Sequence, residues 1–375
     1  MAGKGGGVGG RIKHRPIKSK SSKPSKTAAE ARVEAVVPPD GRPRLIDVAK
    51  LAGVSLGSAS RALSAPLTVR ESTLLRVQEA AERLHYVPDG AARALALRRS
   101  MTIGAVLPTV ANPIYSNFVQ SLQKSLAREN YHLLISTHEY DTAEEASIVD
   151  RLVQRGIDGI VLIGTDHPDA VFRRIEQARL PCVCAWSVDE ARSHTCVGIS
   201  NRRAMHRVVR HLLDLGHRDF AVISGRTEQN ERARARIDGI VDALSLAELS
   251  LPKSHIVHTS FSIDAGREAM RQVLALQPRP TAVICCTDTL AAGALAEARR
   301  QGVSIPSELS ITGFDDIELV SLLEPPLTTL QVRTDEIGRL SGEHILAALK
   351  GNAPKAPVEI ETRLVVRAST AAASR

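Results

Sequence analysis

Short apolar runs alternate with amphipathic stretches beyond residue 100. The apolar runs predict strands at Thr102–Leu107, His132–Ser136, Gly159–Ile163, Cys182–Ala185, Phe220–Ser224, Ala282–Cys286 and Ser310–Phe314. Helical periodicity predicts helices between them, for example Tyr115–Glu129, Glu144–Arg155, Arg202–Leu215 and Thr289–Arg300. Strands that alternate with helices indicate mostly parallel sheets with helices on both faces. We therefore expect residues 100–375 to form an α/β body of two parallel-sheet subdomains.

A different pattern precedes the body, where residues 44–84 predict three short helices. Gly53 permits a tight turn after the first helix, and Ser55 is a predicted N-cap because its hydroxyl can satisfy a free backbone N–H. The second helix is predicted to end at Leu63, and the third to run from about Arg70 to Leu84 with its apolar residues on one face. Helix, tight turn and capped helix is the arrangement of a DNA-binding helix-turn-helix head, although a plain three-helix bundle has the same spacings.

The charge of the chain is concentrated towards its N-terminus. The 375 residues carry a formal net charge of +8, yet residues 1–43 alone hold ten Lys/Arg and three Asp/Glu. Residues 44–99 hold nine basic and five acidic residues, so the body is slightly acidic. This asymmetry is typical of a nucleic-acid binder with a separate second function, although a solvated tail is the alternative. Residues 1–43 lack hydrophobic periodicity and are predicted to be a disordered basic tail.

Composition excludes several other classes. No window approaches the roughly 18 consecutive apolar residues of a membrane span, and the basic N-terminus lacks the apolar region of a secretory signal. Five cysteines are present and none has zinc-finger spacing. These features predict a reduced, cytoplasmic protein that does not interact with membranes.

Two motifs carry a resemblance to a known family. The segment Asp47-Val-Ala-Lys-Leu-Ala-Gly-Val-Ser55, followed by Ser60-Arg-Ala-Leu63, resembles the DNA-binding head of the LacI/GalR (lactose-repressor) family. The segment His85-Tyr-Val-Pro-Asp-Gly-Ala-Ala-Arg-Ala-Leu95 resembles the part that joins that head to a hinge helix, and the resemblance continues to about Arg367. It implies a head at 44–88, a hinge helix and linker at 89–99, and an effector-binding, dimerising body at 100–375 that is similar to periplasmic sugar-binding proteins.

The resemblance also implies how the head contacts DNA. The recognition helix would place Leu56, Gly57, Ser58, Ser60 and Arg61 on double-stranded DNA, with Arg61 on a guanine or a phosphate. Leu95 of the hinge helix would be the apolar wedge that opens a base step in the minor groove, although a buried leucine is the plainer interpretation. Leu56 and Gly57 stand where many relatives carry polar side chains, so the operator sequence does not follow. The resemblance further implies a homodimer on a palindromic operator.

A small-molecule effector is expected between the two subdomains, because ligands of open parallel sheets bind beyond the carboxyl ends of the strands. Motifs such as Thr287-Asp288 with Ala291-Ala-Gly293, Gly313-Phe-Asp-Asp316 and Arg236-Ile-Asp-Gly239 match the family's effector domain. Carboxylates accept hydrogen bonds from vicinal hydroxyls, an aromatic ring covers a sugar face, and paired arginines favour an acidic group, so a sugar or sugar acid is predicted. Each residue also has a structural alternative: a turn cap for Asp315 or Asp316, a core ring for Trp186, a surface charge for Arg232. The predicted contacts are Tyr115, Trp186, Asn230, Arg232, Arg236, Phe261, Asp288 and Asp315.

No catalytic motif accompanies these features. The sequence lacks His-Glu-x-x-His and the Gly-x-x-x-x-Gly-Lys-Ser/Thr loop, so we predict neither an enzyme nor a bound cofactor or metal. Cys182 and Cys184 share one face of a predicted strand, where small buried residues are the expected role. The sequence therefore predicts a repressor of a carbohydrate or sugar-acid operon. The alternatives are a stand-alone sugar-binding protein of periplasmic type, which explains only the body, and an α/β enzyme.

Overall fold

A computed structural model describes residues 43–88, 99–141, 143–188, 195–354 and 356–373, together with Gly3. Most of the predicted basic tail, and the predicted hinge helix with Leu95, lie outside the described residues. Within the described part, the chain forms two compact units, residues 43–88 and residues 99–373. No helix in these ranges is both long and apolar enough to cross a membrane.

The first unit consists of three helices, α1 (Leu45–Ala52), α2 (Leu56–Ser64) and α3 (Glu71–Arg83), with a short 3-10 turn before α3. Gly53 ends α1 in the left-handed conformation at φ 65°, which a glycine adopts without a steric penalty. Ser55 begins α2, and its hydroxyl accepts a 3.2 Å hydrogen bond from the N–H of Ser58. Val48, Ala59 and Val77 are fully buried where the three helices meet. The predicted three helices, tight turn and N-cap are confirmed.

The second unit starts with a parallel sheet. Its strands include β1 (Thr102–Leu107), β2 (His132–Thr137), β3 (Gly159–Ile163), β4 (Cys182–Ser187) and β5 (Thr195–Ile199), which lie in the order β5-β4-β3-β1-β2. The intervening helices are α4 (Ile114–Ala127), α5 (Glu145–Gln154) and α6 (Asp169–Gln177). The sheet is buried on both faces, because α5 and α6 cover one side and α4 lies on the other. These elements form the first subdomain.

The second subdomain repeats this plan. Its strands β6 (Phe220–Gly225), β7 (Ile256–Thr259), β8 (Ala282–Cys285), β9 (Ser310–Asp315) and β10 (Thr328–Gln331) pair in parallel in the order β10-β9-β8-β6-β7. Its helices are α7 (Asn201–Asp214), α8 (Glu231–Ser245), α9 (Ile263–Leu274) and α10 (Asp288–Arg300). Both subdomains therefore direct the carboxyl ends of parallel strands towards shared cavities, as the sequence predicted.

The chain crosses between the subdomains more than once. After β10 it returns as α11 (Thr334–Leu349), which packs on α4 and on the first sheet. Then β11 (Val358–Glu359) pairs with β5 of the first sheet, and β12 (Arg363–Val365) pairs antiparallel with β10 of the second. Gly338 permits the close packing of α11, because a Cβ there would lie 2.3 Å from the carbonyl oxygen of Phe118. These crossings join the two subdomains into one unit with a cleft between them.

Candidate nucleic-acid interface and ligand cleft

Helix α2 presents one face to the core of the first unit and the opposite face to solvent. Ala59 and Ala62 are buried against the other helices. On the outer face Leu56 is 49% exposed, and Gly57 and Arg61 are also exposed. The predicted contact residues Ser58 and Ser60 are half-buried at the edges of this face. The structure therefore groups the predicted residues of this helix along one accessible surface.

Arg61 supplies the positive charge on the outer face of α2. Its Nε donates to the carbonyl of Gly57 at 3.3 Å, one turn earlier on the same helix. Apart from its own helix backbone and its chain neighbours, no described atom lies within 4 Å of where a Cβ on Gly57 would sit, so the surface beside the guanidinium is open. Ser58 is engaged locally, since its hydroxyl lies 2.9 Å from that of Ser55. An exposed guanidinium on the outer face of a capped helix can pair with a guanine edge or grip a phosphate.

The cleft of the second unit contains two connected chambers. The inner chamber has a volume of only about 30 Å³, and the outer chamber has a volume of about 870 Å³. Residues from both subdomains line each chamber, and Tyr140, Asn230, Arg232 and Phe261 line both. Six of the eight predicted effector residues surround the inner chamber: Tyr115, Trp186, Asn230, Arg232, Arg236 and Phe261.

Arg236 is held rigidly at the inner chamber. Its Nε donates to Asn201 Oδ1 at 2.8 Å, its Nη1 donates to the carbonyl of Cys286 at 2.5 Å, and its guanidinium carbon lies 3.7 Å from the ring centroid of Phe314. Gly239, one turn later, lets α8 approach α7, because a Cβ there would lie 2.3 Å from a backbone oxygen. The Arg-x-x-Gly spacing thus places a buried guanidinium beside the ligand space.

Arg232 ties the two subdomains together. Its Nη1 donates to the carbonyl of Ile163 at 2.9 Å and lies 3.3 Å from Glu231 Oε1. Glu231 also accepts hydrogen bonds from the hydroxyl of Ser187 at 2.7 Å and the N–H of Thr165 at 3.0 Å. Despite the unfavourable effect of burial, the charge of Arg232 holds the pKa of Glu231 below its usual value. The Arg232 side chain is only 12% exposed, so the surface-charge alternative is wrong.

Aromatic rings form the wall between the chambers. Trp186 is buried with its ring 5.0 Å from that of Tyr115, and no described residue accepts a hydrogen bond from its Nε1. Tyr140 stacks on Phe261 across the cleft, with ring centroids 4.9 Å apart and planes 21° from parallel. The tip of the Phe261 ring reaches Gly225, where a Cβ would lie 1.9 Å from Cζ. Phe261 is therefore packed within the protein in this conformation.

Two predicted carboxylates lie deeper. Asp288 is fully buried, and it accepts hydrogen bonds from the hydroxyl of Thr329 at 2.5 Å and the N–H of Ile317 at 2.8 Å. Asp315 is 3% exposed at φ 116°, and neither of its carboxylate oxygens has a hydrogen-bond partner within the described ranges. It lines a third cavity of about 430 Å³. Burial raises the pKa of Asp315 to about 7, although Arg236 opposes the shift.

Asp316, the neighbour of Asp315, has a structural role. Its two oxygens accept hydrogen bonds from Arg367 at 2.7 Å and Gln331 at 2.8 Å. Asp316 therefore pairs with two distant side chains, which is a different structural role from the turn cap considered for this pair of aspartates. The carboxylate of Asp315 stays available.

The outer chamber contains polar residues that the sequence analysis did not single out. His138 directly follows β2, Glu145 begins α5, and His167 follows β3. His138 and His167 satisfy the same strand-end rule that selected Trp186 and Asp315, and this position was the available signal. Among the described residues, no three or more His, Cys, Asp or Glu side chains are grouped so that they could hold a metal ion.

Both the head and the body of the chain are similar to known proteins. Residues 44–89 match the model of bacterial regulatory proteins of the lacI family, and residues 209–370 match a periplasmic binding protein-like domain. The chain is 33% identical over 329 residues to the transcriptional repressor CytR of Escherichia coli K12, covering 87% of this chain and 96% of that protein. It is 33% identical over 332 residues to the transcriptional regulator GntR of Pseudomonas aeruginosa, covering 88% of this chain and 96% of that protein.

A solved structure extends the likeness to the whole fold. The complex of the transcriptional regulator CelR with cellobiose superimposes with a TM-score of 0.66 at 26% identity, covering 88% of this chain and 100% of that one. The relatives are transcription regulators, and the regions similar to CytR and GntR span 87% and 88% of this chain. The chain therefore belongs to the LacI family of bacterial DNA-binding transcriptional regulators.

Proposed function

We propose that this protein is a cytoplasmic repressor without catalytic activity, which binds a palindromic operator as a homodimer and responds to a sugar or sugar acid. Each range predicted from the sequence has its own role in this proposal. Residues 44–88 bind DNA, residues 89–99 connect the head to the body, and residues 100–375 bind the effector and form the dimer. The observation that carries the proposal is that one chain combines an exposed recognition surface around Arg61 with an arginine-lined cleft.

The chemistry of the cleft supports an oxygen-rich effector. Arg232 and Arg236 at the inner chamber supply guanidinium donors for a carboxylate or hydroxyls. Asp315, which lines the third cavity, supplies carboxylate oxygens that lack partners among the described residues. The similar CelR structure is a complex with cellobiose, which supports a saccharide. Asp288 already has two internal partners, so we infer that it positions the end of β9 and contacts the effector less directly than Arg236 does.

Binding of an effector requires a change in the cleft. About 30 Å³ holds only a few water molecules at roughly 10–15 Å³ each. An effector that contacts Arg236 and Trp186 must therefore move the Tyr140 and Phe261 rings or widen the gap between the subdomains. A ligand with different affinities for the two arrangements shifts their populations.

The DNA-binding part of the proposal is tested by Arg61→Ala. Duplexes that the full-length protein selects from genomic DNA should contain an inverted repeat, and their affinity can be measured by fluorescence anisotropy at fixed salt. Loss of one bidentate contact weakens binding by roughly 1–3 kcal/mol per half-site. Arg210→Ala removes another exposed arginine, on α7 of the body, and should retain the wild-type affinity.

Three results would refute the proposal: wild-type affinity of Arg61→Ala at matched salt, selected duplexes without two-fold symmetry, or a monomer in sedimentation that still binds tightly. The effector part is tested in the same assay, by adding sugars and sugar acids to the protein–operator complex. No change in anisotropy with any of them would refute a sugar-type effector.

A further inference from the structure

The outer chamber is large compared with the space that most of the predicted effector residues surround. Its volume of about 870 Å³ lies near the upper end of the roughly 300–1,000 Å³ of small-molecule sites. Of the eight predicted effector residues, only Asn230, Arg232 and Phe261 line it. A ligand that extends into the outer chamber must therefore be recognised there mainly by residues outside the predicted set.

Glu145 and His167 form a fixed pair in the wall of this chamber. Glu145 is 1% exposed, and its Oε1 lies 2.8 Å from His167 Nδ1. The other ring nitrogen of His167 lies 3.0 Å from the carbonyl oxygen of Gly164, which can only accept a hydrogen bond. Contacts at both nitrogens fix the ring, and the ring in turn fixes the carboxyl group. Glu145 Oε2 has no partner in the described chain, and leaving such a buried acceptor unsatisfied is costly.

His138 provides a second acceptor. Its Nδ1 is buried without a partner among the residues that the structure describes. Burial lowers the pKa of His138, so the imidazole is neutral at pH 7, and a neutral imidazole has one accepting nitrogen. Two unsatisfied groups that can accept hydrogen bonds thus line the same chamber.

The remaining charge of the chamber disfavours anions. Arg226 and Arg232 are its two guanidinium groups, and Arg232 is already bonded to Ile163 and Glu231. Like charges repel, and a ligand that carries hydroxyl donors avoids this repulsion while it satisfies the buried acceptors. The lining carboxylates are Glu139, Asp141, Glu145, Asp166 and Glu228.

We propose that the effector is a disaccharide-sized molecule whose uncharged, hydroxyl-rich outer unit is recognised by Glu145 and His138. The inference rests on the proposed function, because the inner unit occupies the site at Arg232 and Arg236. Glu145 and His138 are thus specificity-determining residues for the length of the ligand, and the inner arginines select the group at its other end.

Calorimetric titration of the full-length protein tests this inference. The probes are glucose, glucuronate and gluconate, the neutral disaccharides cellobiose, maltose and lactose, and cellobiouronate, which joins glucose to glucuronate. We expect at least one disaccharide to bind about tenfold or more tightly than either of its own units, since its second unit supplies hydrogen bonds to buried acceptors that otherwise have none. Glu145→Gln should remove that advantage and change the Kd of the single units less than about twofold.

Two further variants separate recognition from folding. Glu144→Gln makes the same change at the adjacent, exposed position and should behave as wild type. If Glu145→Gln fails to fold, His138→Ala should show the same selective loss of disaccharide affinity. The inference is overturned if no disaccharide exceeds its units, or if the advantage survives in the folded variant. Single sugars that still release operator would then leave the proposed function intact, whereas no response to any probe would overturn both.

Discussion

The buried carboxyl group of Asp315 makes the stability of the body depend on pH in a direction that can be measured. Burial raises its pKa to about 7 from an ordinary value of 3.8. The neighbouring Asp288 is also buried, and the negative charge of Asp315 helps to raise its pKa further. Both carboxyl groups therefore hold protons more tightly in the folded protein than in the unfolded chain.

The sign and size of the effect follow from linkage. Between about pH 4 and pH 7 the native state binds more protons at Asp315, so the free energy of unfolding falls as the pH rises through this window. A shift of about three units at 1.36 kcal/mol each gives roughly 4 kcal/mol, fully lost above pH 7. Asp315→Asn mimics the protonated form and cannot ionise. The variant should match the wild type near pH 4, exceed its stability by roughly 1.6 kcal/mol at pH 5, and exceed it by up to about 4 kcal/mol at pH 8.

Urea denaturation at pH 5, 6, 7 and 8 measures this difference, with the single tryptophan, Trp186, as the probe of the same unit. Asp316→Asn is the matched control, because it removes the charge paired with Arg367 and one of the two oxygens that accept hydrogen bonds from Arg367 and Gln331. It should lower stability at every pH without a gain towards pH 8. Parallel curves for Asp315→Asn and wild type across this range would refute the argument that Asp315 is held protonated by burial.

Two further predictions concern the recognition helix and the wall of the cleft. Gly57→Ala should slow hydrogen exchange in the core of the head by stabilising α2 by roughly 0.5–1 kcal/mol, because the added Cβ meets no described atom. Gly53→Ala, at φ 65°, should have the opposite effect, and equal exchange in both variants would contradict the reasoning. Tyr140→Ala should increase acrylamide quenching of Trp186, since the ring stacked on Phe261 separates the two chambers. Tyr140→Phe keeps the ring and should quench as wild type, and unchanged quenching in both variants would mean that the ring does not shield the inner chamber.

The head could be predicted almost completely from its sequence because its signals are local. Ser55 caps the helix that it immediately precedes, and Gly53 supplies the left-handed turn two residues earlier. The central strands were predictable for a similar reason, since strands buried on both faces form continuous apolar runs. The short strands β11 and β12 carry no such run. β11 has two residues that pair with Val197 and Gly198, about 160 residues earlier in the chain, and only the tertiary fold brings them together.

In the candidate site, too, residues with a local sequence signal could be predicted and residues defined by tertiary contacts could not. The strand-end rule selected Trp186 and Asp315, both of which line cavities between the subdomains. It selected Asp288 equally well, yet that carboxylate is occupied by Thr329, 41 residues away. Glu145 lies in the first turn of a helix, where an acidic residue is ordinary. Its pairing with His167 and its unsatisfied oxygen depend on contacts between elements, which periodicity does not encode.

The hydrogen bonds that Arg232 and Glu231 make across the cleft determine how an effector can change the arrangement of the two subdomains. Three hydrogen bonds join the Arg232 and Glu231 side chains of α8 to the first subdomain, where their partners Ile163, Thr165 and Ser187 lie at or near the ends of β3 and β4. The ion pair between Arg232 and Glu231 orients both side chains. A ligand carboxylate that binds Arg232 competes with the carbonyl of Ile163 and loosens this tie. A ligand that spans from Glu145 to Arg236 adds new bonds across the same gap. The effector therefore changes the free-energy difference between the two arrangements by the hydrogen bonds that it adds across the cleft minus those that it displaces. This free energy limits the shift in operator affinity.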